Sequence, residues 1–277
     1  MTSLSRRWVD RDGVRLSYQV SGGEAGPTLV LMAGYGRSGS SWIPWLERVG
    51  PIPFRVLLLD HRGTGESARS RRPYTLGTLA DDAAAVLRDA AGDAPAIVVG
   101  DSMGGMVAQH LALRHPRRVG GLVLSASSSH GDVVSPAFVR SLPLTVAAAM
   151  SRDVRVWTRC DRLLVHETKS PSEAHDLLAP LRQIQRREPY SRVNSLWQAV
   201  AMSFHRTDRR LGAVRVPVEV IAGAGDRVLS PRNSTVLAGC LSHARLTILP
   251  DAGHAIPFEK PMEILYAITR LVARSEL

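Results

Sequence analysis

Cysteine and lysine are among the residues this chain most nearly does without. Among 277 residues there are two cysteines, Cys160 and Cys240, and two lysines, Lys169 and Lys260. Two cysteines in unrelated contexts build no disulfide framework, so a reducing compartment, and with it a cytoplasmic location, is the expectation. Aromatic residues make up only 5% of the chain. The basic clusters Arg69-Ser70-Arg71-Arg72, Arg186-Arg187 and Arg209-Arg210 are short and are not interleaved with aromatics. A nucleic-acid-binding stripe is therefore not expected, although the net charge is +10. Nearly all of that charge is arginine, which reads as a compositional bias; an acidic substrate or carrier partner is the alternative reading. No apolar run approaches the roughly 20 residues needed to cross a bilayer, and Met1 to Asp12 carries no apolar leader core. Internal repeats and low-complexity stretches are missing too. No metal or nucleotide site is visible. Gly34-Tyr35-Gly36-Arg37-Ser38-Gly39 follows a strand as a dinucleotide loop would, without the supporting spacing or downstream acid.

What remains is 44% hydrophobic and 22% charged, the make-up of a globular protein long enough to bury a large core. Two alternating segments, Arg6–Asp10 and Val14–Val20, meet at Asp12-Gly13, a hairpin signal. Buried-type strands are predicted at Thr28–Met32, Phe54–Asp60, Ala96–Gly100 and Gly121–Ser127, with helices between them near Trp42–Val49, Thr78–Ala91 and Met103–His115. Strand and helix alternating in this way predict a mostly parallel central sheet covered on both faces, with sites at the carboxyl ends of the strands. The loops at 33–39, 60–67 and 100–103 all fall at those ends.

From Ser129 to Thr207 the strand pattern stops. Helical segments are predicted near Ala137–Ala149, Val154–Val165, Ser172–Arg187 and Ser191–His205. Strand chemistry resumes at Val216–Ile221, followed by a helix near Asn233–Leu241, a strand at Arg245–Leu249 and a closing helix at Pro261–Ala273. The expected organisation is a core domain, 1–128 and 208–277, interrupted by a helical lid, 129–207.

Gly100-Asp101-Ser102-Met103-Gly104 ends a strand and begins a helix. A serine hydroxyl is a poor nucleophile and has to be held exposed beside a base. A tight strand-to-helix turn with small residues two before and two after the serine does that, and leaves the Met103 N–H at a helix N-terminus where negative charge would develop. An ordinary glycine-rich turn would look the same in isolation, so the partners decide. His254 stands on the strand-end loop Pro250-Asp251-Ala252-Gly253-His254, and Asp226 ends Gly223-Ala224-Gly225-Asp226 after the preceding strand. In these positions Ser102 would attack a carbonyl. His254 would carry its proton to the leaving group, and Asp226 would hold the imidazole. Asp251, three residues from His254, reads as a turn former. His110, His115, His130, His166, His175 and His205 read as solvated or core histidines.

The stretches Ala33-Gly34-Tyr35-Gly36, Asp60-His61-Arg62-Gly63-Thr64-Gly65-Glu66-Ser67, Gly100–Gly105, Gly223–Asp226 and Gly253-His254 together resemble the α/β-hydrolase superfamily over nearly the whole chain. The resemblance implies an α/β-hydrolase fold and a serine-nucleophile, carboxylic ester or lactone hydrolase. The oxyanion hole would be made by the backbone N–H groups of Tyr35 and Met103, and the Asp60–Ser67 stretch would brace loops near the site. Relatives with an aspartate nucleophile, haloalkane dehalogenases and epoxide hydrolases, are set aside by the serine at 102. Where many relatives carry His-Gly this chain has Ala33-Gly34, which implies either a reshaped oxyanion loop or a reduced need for oxyanion stabilisation. Tyr35, Trp157, Trp197 and Phe204 are the candidate substrate contacts, with Met150 and Met202 beside them in the lid. The expected substrate is a small apolar ester, lactone or thioester, with no cofactor and no membrane, in a monomer or homodimer. A thioesterase working with an acyl-carrier partner, a perhydrolase, a carbon–carbon bond hydrolase, a non-hydrolytic cyclase and a ligand-binding receptor on the same scaffold are the alternatives.

Overall fold

In a computed structural model of the protein, residues 4–21, 26–131, 161–189 and 191–274 are described. The alternation read from the sequence becomes one eight-stranded sheet in the order β1-β2-β4-β3-β5-β6-β7-β8. The hairpin β1 (Ser5–Arg11) and β2 (Val14–Ser21) turns at Asp12 and Gly13, both with positive φ, as a two-residue primed turn requires. β2 lies antiparallel on β4 (Arg55–Leu59). From there the sheet is parallel through β3 (Thr28–Met32), β5 (Ala96–Asp101), β6 (Val119–Ser125), β7 (Val218–Gly223) and β8 (Ala244–Leu249).

The central strands are apolar throughout because both faces are covered. In β3, Val30 and Met32 enter one core and Leu29 and Leu31 the other; in β5, Val98 opposes Ile97 and Val99. The first core is closed by α2 (Leu76–Ala91) and α3 (Met103–Arg114) through Leu79, Val86, Leu87, Val107 and Leu111, and by Leu237 of α6 (Pro231–Gly239). The second is closed by α1 (Ile43–Val49) and α8 (Pro261–Arg274) through Trp45, Ile264, Ile268 and Leu271. Each such aliphatic side chain contributes about 1.5–3 kcal/mol on burial. A reciprocal cap between Thr75 and Thr78 starts α2 two residues before the expected Thr78. A single helical turn, α7 (Ile256–Glu259), lies just after His254 and was not expected.

Between β6 and β7 the chain leaves the sheet. It departs and returns side by side: Thr207 N–H bonds Ser129 O at 2.9 Å, Gly131 N–H bonds His205 O at 2.9 Å, and His130 bridges antiparallel to Arg206. Beyond this stem come α4 (Pro171–Arg187) and α5 (Arg192–Ser203), close to the expected helices. Residues 161–164 are helical; the expected helix at Ala137–Ala149 and the start of the one at Val154–Val165 lie outside the described residues.

The Asp60–Ser67 stretch is anchored from below. Arg62 donates to both carboxylate oxygens of Asp82 at 2.6 Å, Arg11 adds a third bond at 2.8 Å, and the Asp82 side chain is 1% exposed. Removing the carboxylate strands a buried guanidinium. Asp82→Ala is expected to cost about 3–5 kcal/mol, read as a lower midpoint in urea denaturation. A loss under about 1 kcal/mol would show that Arg62 is satisfied elsewhere.

Candidate active site

Parallel strands put all their carboxyl ends on one edge, and the functional side chains collect there. β5 ends at Asp101, α3 begins at Met103, and Ser102 between them has φ 55° and ψ −117°. A non-glycine residue in this region is strained and persists only where its surroundings enforce it. They do so here by leaving no room. A Cβ on Gly100 would lie 2.5 Å from the backbone of Gly104, and one on Gly104 would lie 2.2 Å from Met32 O. Ser102 N–H is tied to Ser125 O at 2.8 Å, and Ser127 Oγ donates to Ser102 O at 3.0 Å.

β7 and β8 deliver the other two groups. Ala224 N–H bonds Leu249 O at 2.8 Å and Gly225 N–H bonds Ala252 O at 3.0 Å, which clips the two strand-end loops together. Asp226 Oδ1 accepts from Val228 N–H and Leu229 N–H at 2.8 and 2.9 Å, leaving Oδ2 aimed at His254 Nδ1, 2.7 Å away. His254 Nε2 then lies 3.0 Å from Ser102 Oγ. Ser102, His254 and Asp226 are thus brought together in the order and geometry of a nucleophile, a base and its orienter. Burial pulls the His254 pKa down, but the Asp226 carboxylate outweighs it and leaves the imidazole above its ordinary value. Asp251 pairs with Lys260 instead. His110 and His205 pair with each other at 3.2 Å, both pushed down to about 4 by burial, and His115 pairs with Asp81.

Met103 is the first residue of α3, so its N–H has no acceptor within the helix. Tyr35 lies in the loop after β3, packed against the first core together with Trp197 and Met202. That loop makes a tight turn, Arg37 N–H to Gly34 O at 3.2 Å with Gly36 at φ 67°. It touches the elbow: a Cβ on Gly34 would sit 3.2 Å from Ser102 Cβ. Four consecutive residues of the loop are each held by a side chain from elsewhere. Gly36 N–H donates to Gln198 Oε1 of α5 at 2.9 Å, and Arg37 Nη2 to Asp101 Oδ2 at 2.7 Å. Ser38 Oγ donates to Glu188, just after α4, and Gly39 N–H to Asp60 Oδ1 at 2.9 Å. Burial raises the Glu188 pKa above the usual carboxylate range, against the Ser38 hydrogen bond. Glu259 of α7 fixes the opposite side by accepting from Gly253 N–H and His166 N–H, each at 2.7 Å.

Gln198, Glu188 and Glu259 were not singled out in the sequence. Asp101, immediately before Ser102, holds the loop that carries Tyr35 by accepting from Arg37. The structure places Phe204 on the surface, 82% exposed, because α5 stops at Ser203 and Phe204 caps it. Trp157 and Met150 lie outside the described residues.

His254 is expected to titrate above about 6.5 by NMR, and in Asp226→Asn, with the largest charge opposing burial removed, below it. A midpoint that stays above that value in the variant would show that Asp226 is not the raising group. By linkage, a raised folded-state pKa means the charged pair stabilises the fold fully below the unfolded value and loses this as pH rises through the folded one.

The family model described as serine aminopeptidase, S33, matches residues 23–261. A protein of Caulobacter sp. (strain K31) named "Putative carbamate hydrolase RutD" is 31% identical over 250 residues, 89% of this chain and 91% of that protein. The solved structure of Est816, titled as an N-acyl homoserine lactone degrading enzyme, superposes with a TM-score of 0.75 at 26% identity, covering 95% of this chain and 99% of that one. A thermophilic esterase from Thermogutta terrifontis shares the fold, with a TM-score of 0.79 at 23% identity and 98% of both chains covered. The chain is a hydrolase of the α/β-hydrolase superfamily and belongs to the family that the serine aminopeptidase S33 model describes.

Proposed function

We propose that this protein cleaves a carboxylic ester or lactone through an acyl-enzyme formed on Ser102. The observation that carries the reading is the buried line Asp226 Oδ2, His254, Ser102 Oγ, with spacings of 2.7 and 3.0 Å, ending on a serine in strained backbone at a helix N-terminus. Ser102 Oγ attacks the carbonyl carbon while His254 Nε2 takes its proton. The carbonyl oxygen, now negative, is received by the N–H groups of Met103 and Tyr35, with the dipole of α3 adding to the first. His254 passes the proton to the leaving oxygen, the alcohol departs, and a water activated by the same imidazole releases the acid. Asp226 holds the tautomer that makes both transfers possible.

We assign substrate selection to the segment between β6 and β7, as a lid comprising residues 129–207, with Tyr35 and Trp197 as apolar walls; the bonds from Gln198 and Glu188 to the loop after β3 support this reading. A second reading is favoured by the Caulobacter relative: the same attack on a carbamate carbonyl. Thioester release by a carrier-linked enzyme is the further alternative.

A fluorophosphonate probe is expected to label the wild-type protein at one site. Ser102→Ala should abolish labelling, and Asp226→Asn should slow turnover by about 10⁴-fold. Assays with p-nitrophenyl esters, lactones, acyl thioesters and aryl carbamates then separate the substrate classes. The acid limb of the rate profile should fall above about 6.5, since only neutral His254 can act as base. Folded wild-type protein that resists the probe and turns over none of these would overturn the reading.

A further inference from the structure

The chain has alanine, with no polar group, at the start of the loop that carries Tyr35, and yet four side chains grip that loop. One grip differs from the other three. Arg37 is a charged side chain belonging to the loop itself, and it turns back under Gly34 toward the elbow. A Cβ on Gly34 would fall 2.4 Å from Arg37 Nη2 on one side and 3.2 Å from Ser102 Cβ on the other. The guanidinium and the nucleophile's Cβ therefore both crowd the space beside the Gly34 Cα, where any side chain would clash. The guanidinium ends on Asp101, the residue immediately before Ser102, at 2.7 Å, with side chains 16% and 2% exposed. Asp101 also receives Ser125 Oγ at 3.3 Å. Ala33, Ser41, Trp42, Pro257 and Phe258 wall the pair around a cavity of about 10 Å³. Pro257 and Phe258 belong to α7, which starts two residues after His254. The oxyanion loop, the elbow and the histidine segment all meet at this one ion pair, in surroundings apolar enough to strengthen it.

We propose that Arg37 and Asp101 are positioning residues: their ion pair sets the oxyanion loop against the Ser102 elbow and balances the charge behind His254. The proposal rests on the serine-hydrolase reading only for its effect on turnover. Breaking the pair frees Arg37 and lets the turn Gly34–Arg37 drift from the elbow. The Tyr35 N–H then leaves the place where charge develops, while the pocket that binds the substrate's ground state is untouched. Such a loss falls on kcat rather than KM. The charge balance has its own signature. The charged groups facing His254 are Asp226 from the loop after β7, Asp101 from β5 and Arg37 from the loop after β3; Glu259 of α7 bonds the neighbouring Gly253 amide. Asp101 acts to raise the imidazole pKa and Arg37 to lower it.

The test uses Arg37→Met, Asp101→Asn and the double variant, each checked for a cooperative thermal transition. With p-nitrophenyl butyrate, each single variant is expected to lose at least about tenfold in kcat with KM changed less than about threefold, in the range of a misplaced oxyanion donor. Arg37→Lys should recover part of the loss. Hydrogen exchange at the amides of residues 34–38 should quicken in both single variants. The His254 ring, followed by NMR, should titrate higher in Arg37→Met, lower in Asp101→Asn and near the wild-type value in the double variant. Shifts in one common direction, or none, in folded protein would overturn the proposal. If Arg37→Met does not fold, Asp101→Asn, nearly isosteric, still reports the sign. The ring titration and the hydrogen exchange need no catalysis. A wild-type protein inert to fluorophosphonate but with opposed shifts therefore sinks the serine-hydrolase reading and keeps the pair; a labelled protein with unmoved titrations sinks the pair alone.

Discussion

Ser102 sits in backbone that would relax if it had anywhere to go. It does not, because the chain crosses itself within hydrogen-atom distances on both sides. Gly100 lies against Gly104, and Gly104 lies against the carbonyl that ends β3. The strain is therefore held by the sheet, whose strands on either side of β5 are β3 and β6. A turn enforced by the central strand of a two-cored sheet is rigid in a way that a surface loop cannot be. Everything else at the carboxyl edge is aligned to that one fixed hydroxyl.

The remaining loops are not rigid by themselves, and their ordering comes from long-range polar contacts. Asp226 is committed to two backbone amides before it meets His254, so its second oxygen has a single direction left. The loop after β3 is held by Asp60 just after β4, Asp101 at the end of β5, Glu188 just after α4 and Gln198 in α5. Three of those four holders are carboxylates, Asp60, Asp101 and Glu188. Glu259 adds a further one under the histidine loop. These four acids act as acceptors for N–H and O–H groups beside the site, so few donors are left orphaned in an interior that penalises them.

Much of this was legible in the sequence, and for local reasons. β-branched runs stopped by glycine or aspartate mark strands whatever surrounds them, so β3 and β5 fall where expected. Serine, aspartate and histidine could be picked out because each stands one short loop beyond a strand end. The bracing role of the stretch at Asp60 came from its resemblance to the family rather than from position. What sequence could not supply was pairing across distance. Nothing near Asp101 announces that an arginine 64 positions earlier will reach it, and nothing near Glu188 or Gln198 points to a glycine-rich loop at the other end of the chain. Phe204 shows the opposite failure. Periodicity carries α5 through His205 and turns the ring inward, whereas the helix ends at Ser203 and the next residue takes cap geometry on the surface.

The stem that joins residues 129–131 to 205–207 gives the inserted segment two adjoining ends, like the base of a hairpin. To the sheet, the insertion is tied off at its base by this pairing. Such an excursion is an exchangeable cassette, and its turnover in evolution would leave Ser102, His254 and Asp226 where they are. The cassette is nonetheless not passive, since Glu188 and Gln198 grip the loop that carries Tyr35. A change in α5 or at the end of α4 is therefore also a change in how firmly the loop after β3 is held, 150 residues or more away in the chain.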